Sequence, residues 1–94
     1  MIDAREQAET VALQALAWLA GNDDLFGVFL GASGSRAADI ATRAGEPEFL
    51  ASVLDFVLMD DAWIVGFCDD AGIEYERPIQ LRHFLPGGAL PEYA

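Results

Sequence analysis

The sequence predicts an all-α protein, a compact orthogonal bundle of five or six short helices with a helix-turn-helix-like pair inside it. Alanine and leucine together number 27, against 12 for valine, isoleucine and threonine, and that balance favours helix over sheet. Glycine, proline, asparagine and aspartate fall where helices would start and stop. Hydrophobic residues make up 53% of the 94 residues and charged residues 22%, which argues against disorder. A chain of this size has a folded surface of about 5,300 Å² against about 14,600 Å² unfolded, enough burial for one core without disulfides or metal. Residues 1–94 therefore read as a single small helical domain, with a loose C-terminal tail from about residue 87.

The first helix is expected over residues 3–20, stopped by Gly21. At 100° per residue Ala8, Ala12, Ala15, Leu16 and Leu19 share one face, with Gln7, Thr10 and Gln14 opposite. Trp18 falls at the edge of that stripe, either packed under a neighbouring helix or exposed as an anchor for a partner. Asn22 or Asp23 can cap a second helix over residues 24–30. Its Leu25, Phe26, Val28, Phe29 and Leu30 are apolar on nearly every side, as suits the core or an interface. Gly31 to Gly34 reads as a loop. Ser33 or Ser35 then caps a third helix over 36–44, which ends at Gly45. Pro47 opens a fourth helix at the position proline tolerates best. That helix, residues 47–58, is the most hydrophobic segment and is expected at the centre. Asp60 or Asp61 caps a fifth helix that runs to Ala71 before Gly72. A strand over 62–68 competes, because that short run is rich in β-formers. Residues 74–77 read as a loop, and Pro78 opens a last helix to about Leu85.

Sixteen acids face five bases, all arginine, for a formal net charge of −11. Nucleic-acid binding needs clustered Lys and Arg, so neither DNA nor RNA is an expected partner. An anionic membrane surface is repelled by the same field. The charge-free stretch between Leu25 and Arg36 holds three glycines and is too short to span a bilayer. The first residues lack a basic region followed by an apolar run, so no signal peptide is expected and a cytoplasmic location follows. Between Ala44 and Glu76 there are nine acids and no base. Such a run is a solvated face or a surface for a basic partner.

Candidate chemistry is sparse. Three Asp-Asp pairs occur, at Asp23-Asp24, Asp60-Asp61 and Asp69-Asp70. Adjacent helical residues diverge by 100°, so neither a metal site nor an acid–base pair follows from them. Helix capping explains the first two pairs. Asp69-Asp70 sits at a helix C-terminus, where acids oppose the dipole. Cys68 lies in an apolar run beside two aspartates, the reverse of what activates a thiol. His83 is the one histidine, and a Cys68–His83 dyad has no third member or oxyanion hole to complete it. One His and one Cys do not make a zinc set. Residues 38–45 followed by the fourth helix look like a helix-turn-helix, yet Glu48 and Asp55 are the only charges on the would-be recognition helix.

Two segments carry a resemblance: Pro47-Glu48-Phe49-Leu50 through Val53-Leu54-Asp55-Phe56, and Leu58-Met59-Asp60-Asp61-Ala62-Trp63. With Ala15-Leu16-Ala17-Trp18-Leu19-Ala20 and Val28-Phe29-Leu30-Gly31, the chain from Glu9 to about Gly88 resembles the short bacterial family called domain of unknown function 3572. The resemblance implies an intracellular, all-helical protein from the alphaproteobacteria and supplies no catalytic residues.

The expected function is therefore a small interaction or regulatory adaptor that binds a protein with a basic surface. Its expected contact residues are Trp18, Asp60, Asp61, Trp63, Asp69 and Asp70. The alternative is a homo-oligomeric structural protein joined through the second helix. An enzyme using carboxylates or Cys68 ranks last, and no catalytic, cofactor or metal residue is assigned.

Overall fold

Helix α1, Ala4–Ala20, starts where two side chains satisfy each other's backbone. The Asp3 carboxylate accepts from the Glu6 N–H at 2.8 Å, and the Glu6 carboxylate accepts from the Asp3 N–H at 3.4 Å. The computed structural model describes residues 3–87. Among them the chain forms six α-helices: α1, α2 (Asp23–Ser33), α3 (Ile40–Arg43), α4 (Pro47–Val57), α5 (Asp61–Ala71) and α6 (Arg77–Arg82). A 3₁₀ turn at Ala37–Asp39 leads into α3. The apolar run at 62–68 is helical, because Asp60 caps its start and Gly72 takes the left-handed conformation at its end (φ 73°).

The α1 stripe turns inward as its periodicity requires. Ala8, Ala12, Ala15, Leu16 and Leu19 are all buried, joined by Val11. The most extensive packing of α1 is on α4. Helix α4 buries seven of its eleven residues and also touches α2, α5 and α6, so it is the central helix. Phe29 from α2 meets Phe49 and Phe56 of α4 edge-on, at centroid distances of 5.8 and 5.3 Å. Phe56 in turn stacks on Trp63 of α5 at 4.8 Å. The Arg43 guanidinium caps the other end of this row, 4.7 Å above the Phe49 ring. Four aromatic rings thus link three helices. The accessible surface of 5619 Å² is close to the area expected for a folded chain of this length.

Three boundaries differ from the sequence expectation. Helix α2 continues through Gly31, Ala32 and Ser33, because Gly34 (φ 69°) and not Gly31 makes the left-handed stop. The Ser33 hydroxyl donates back to the Leu30 carbonyl at 3.4 Å within that last turn. The third helix is cut to a 3₁₀ turn and one α turn, and neither serine caps it. Ser35 instead accepts from Arg43 Nη1 at 2.6 Å. This segment buries no residue fully, and a short helix without a packed stripe gains little from propensity alone. Helix α6 stops at Arg82, three residues early. Arg82 forks onto Asp55 of α4 at 2.6 and 3.0 Å, and its Nη1 donates to the Leu85 and Pro86 carbonyls. That guanidinium fixes the chain after α6 and holds Leu85 in the core. Most of the expected loose tail from about 87 lies outside the described residues. The helix-turn-helix-like pair reduces to α3 and α4, and α4 is too deeply buried to lie in a groove of another molecule.

The Phe29→Ala variant should lose about 3–5 kcal/mol in urea unfolding, because it empties the ring position between Phe49 and Phe56. Its neighbour Val28 is 55% exposed, and Val28→Ala should change stability by no more than about 0.5 kcal/mol.

Candidate functional site

The nine acids between Ala44 and Glu76 divide by what they touch. Glu46 pairs with Arg43 at 3.6 Å, and Asp55 holds Arg82. Asp60 caps α5, its carboxylate accepting from the Ala62 N–H at 2.8 Å. Asp70 accepts from the Trp18 indole N–H at 2.9 Å, and Asp69 accepts from the Tyr75 hydroxyl at 2.8 Å. The pair that opposes the α5 dipole is thereby explained. Asp70 ties the end of α5 to α1, and Asp69 ties it to the turn that follows. Glu48 sits in the first turn of α4, where the dipole favours an acid. Among the described residues, Asp61, Glu74 and Glu76 make no ion pair and accept no side-chain hydrogen bond.

The two tryptophans are half-buried. Trp18 lies across Gly66 of α5, where an added Cβ would stand 3.1 Å from its ring, and tilts against Phe67 at 6.1 Å. Gly66 is thus the residue that lets the indole close onto α5. Trp63 is stacked on Phe56. Both rings border an open groove of about 470 Å³ with Asn22, Asp24, Leu25, Val28 and Ala62. Of the six residues expected to contact a partner, Trp18, Trp63 and Asp70 thus lie around the α1–α5 seam. Asp60 is engaged as a cap and Asp69 with Tyr75, while Asp61 lies on a different groove.

That second groove lies between α5 and α6. Both helices pack on α1 and α4 but barely on each other, and the gap between them is an open trough of about 370 Å³. Asp61, Ile64 and Val65 form its α5 wall at i, i+3 and i+4, one face of a helix. Tyr75, Glu76 and Ile79 form the other wall. Val65, Tyr75 and Ile79 are 40%, 46% and 50% exposed, three of the large apolar side chains the fold leaves in water. Gly72 turns the chain after α5, and the Asp69 hydrogen bond then fixes the Tyr75 ring at the edge of the trough. The same bond holds the Tyr75 phenol above its ordinary pKa, with the Asp69 charge adding to it. A second shallow cleft, lined by Asp69, Ile73, Glu74, Tyr75 and Glu76, continues from it. Val65, Tyr75 and Ile79 were not expected as contact residues. Both faces of the 62–68 run are apolar, so periodicity alone does not say which face of α5 stays in water.

Cys68 is fully buried and unpaired in the core. Burial, and then the charges of Asp69 and Glu76, push its thiol pKa up from 9.0. His83 is exposed at the C-cap of α6. Among the described residues no three His, Cys, Asp or Glu side chains converge to hold a metal, and no helix is long and apolar enough to cross a membrane. Cys68 should resist alkylation by iodoacetamide at pH 8 in the folded protein and react fully in urea. Its raised pKa means the folded state favours the neutral thiol. The stability this contributes is complete below the unfolded thiol's pKa and is lost as pH rises through the folded value. Urea midpoints of the wild type should therefore fall at alkaline pH more steeply than those of Cys68→Ala.

No curated protein and no solved structure matches the chain. A family model described as protein of unknown function (DUF3572) matches residues 5–88, nearly all of the helical bundle. The resemblance carried by α4, the Asp60-Asp61 cap and Trp63 extends over the whole described core, and the chain belongs to the DUF3572 family.

Proposed function

We propose that the protein is a small interaction module that binds a partner protein presenting a basic surface. The observation that carries this reading is the placement of the acids without internal partners. Asp61 and Glu76 border an apolar trough that is open to water, and Glu74 lines the cleft beside it. A basic surface would be attracted to this rim, and exposed apolar side chains beside it would supply contact area. Charge steers and selects, while burial of the apolar wall gives the complex its lifetime.

The homo-oligomer reading has less support. Helix α2 turns Leu25 and Phe29 into the core, and of its large apolar side chains only Val28 is exposed. A two-fold dimer through the trough would set Asp61 and Glu76 near their own copies, in a chain whose net charge is already −11. The reading is one of binding and not of catalysis. The buried Cys68 has a raised pKa, which is unsuited to a nucleophile. The carboxylates are dispersed, and Asp55, Asp60, Asp69 and Asp70 are used for a pair, a cap and hydrogen bonds.

The test is a tagged pull-down from native lysate at low salt and at high salt, read by mass spectrometry. A stoichiometric partner should be captured at low salt, be lost at high salt, and be lost at low salt with Asp61→Lys/Glu76→Lys. A partner held equally by the charge-reversed protein would contradict the acidic-rim reading.

A further inference from the structure

We infer that the trough between α5 and α6 receives an amphipathic, basic α-helix of the partner, with the partner's apolar stripe on Val65, Tyr75 and Ile79, over the buried Ile64, and its Lys or Arg side chains at Asp61 and Glu76. This rests on the binding reading above and names the element that binds. The alternatives are removed by chemistry. An extended strand gains its affinity from an exposed sheet edge, and the described fold is helical throughout, with no such edge. A proline-rich segment needs a groove lined by several aromatic rings, and among the described residues Tyr75 is the only ring lining this one. A phosphorylated or acidic segment needs an arginine cluster. The arginines nearest in sequence are turned elsewhere, Arg77 to Gln7 on α1 and Arg82 to Asp55 on α4.

A helix matches what remains. The α5 wall reads acid, apolar, apolar at 61, 64 and 65, and the α6 wall reads acid, apolar at 76 and 79. Each wall thus places a carboxylate one turn before its apolar residue. A helix with apolar residues at i, i+3 and i+4 fills such a trough with one stripe, and basic residues flanking that stripe meet the carboxylates. The walls are also held in advance. Helices α5 and α6 are each packed on α1 and α4, and the Tyr75 ring is fixed through its hydroxyl to Asp69. Side chains already ordered before binding lose less freedom on complex formation.

The experiment uses the full chain, isotope-labelled, with a synthetic leucine–lysine peptide whose leucines are spaced for a helix. A peptide of the same composition with leucine and lysine alternating, as in a strand, is the comparison. Binding is followed by fluorescence anisotropy, and the site by amide chemical shifts. The helical peptide should bind at low salt and shift the amides of Val65, Tyr75 and Ile79. Val65→Asp/Ile79→Asp should weaken it about tenfold or more, as loss of central contacts does, while Val28→Asp leaves it unchanged. Both substituted positions are water-exposed, and circular dichroism confirms that each variant is folded. Shifts confined to the Trp18–Trp63 groove, or equal binding of the alternating peptide, would overturn the inference. If the helical peptide fails while the lysate partner is lost on Asp61→Lys/Glu76→Lys, the helix assignment falls and the basic-partner reading stands. If neither binds, both fall.

Discussion

The packing of α1 and α2 around the largely buried α4 is the contact on which the rest of this molecule depends. Helix α4 carries apolar residues over most of its circumference, so it is stable only when surrounded. Alanines on α1 let that helix approach without bulk. Phe29 of α2 closes one side by meeting Phe49 and Phe56, and Trp63 of α5 continues the row. Once α4 is enclosed, α5 and α6 have fixed seats on the α1–α4 pair. Their separation, and hence the trough between them, is a consequence of that seating rather than of any contact between the two.

The same frame accounts for how the surface charge is arranged. Asp55, Asp60, Asp69 and Asp70 each hold a part of the fold in place, through Arg82, the Ala62 N–H, the Tyr75 hydroxyl and the Trp18 indole. Among the described residues, Asp61, Glu74 and Glu76 make no ion pair and accept no side-chain hydrogen bond, and they gather where α5, the following turn and α6 face water. A run that reads uniformly acidic in sequence thus contains two populations. One is structural, and the other is left to interact with whatever approaches the trough.

Much of this was legible beforehand. The α1 stripe, the central place of α4, the Asp60 cap and the Gly72 stop all follow from local chemistry that tertiary contacts did not override. The errors fall where local signals were ambiguous. Gly31 and Gly34 both offered a stop to α2, and packing of Phe29 and Leu30 carried the helix to the second. Ser33 and Ser35 offered caps to a third helix that had no apolar stripe to hold it on the core. The contact residues were harder. Trp18 and Asp70 both read in sequence as surface candidates, yet they find each other across 52 residues, which no local pattern encodes. The exposed face of α5 could not be chosen because both of its faces are apolar.

The division of the acids is the central claim, and it is tested by removing equal charge from each population. Thermal unfolding of Asp55→Ala/Asp70→Ala should be compared with that of Glu74→Ala/Glu76→Ala, each variant losing two negative charges. The first should lose at least about 1 kcal/mol, a fall in Tm of about 4–8 °C for a domain of this size. The second should stay within about 0.5 kcal/mol of the parent or gain slightly as like charges are relieved. Equal losses from the two variants would contradict the division, because Glu74 and Glu76 would then be holding the fold as Asp55 and Asp70 do.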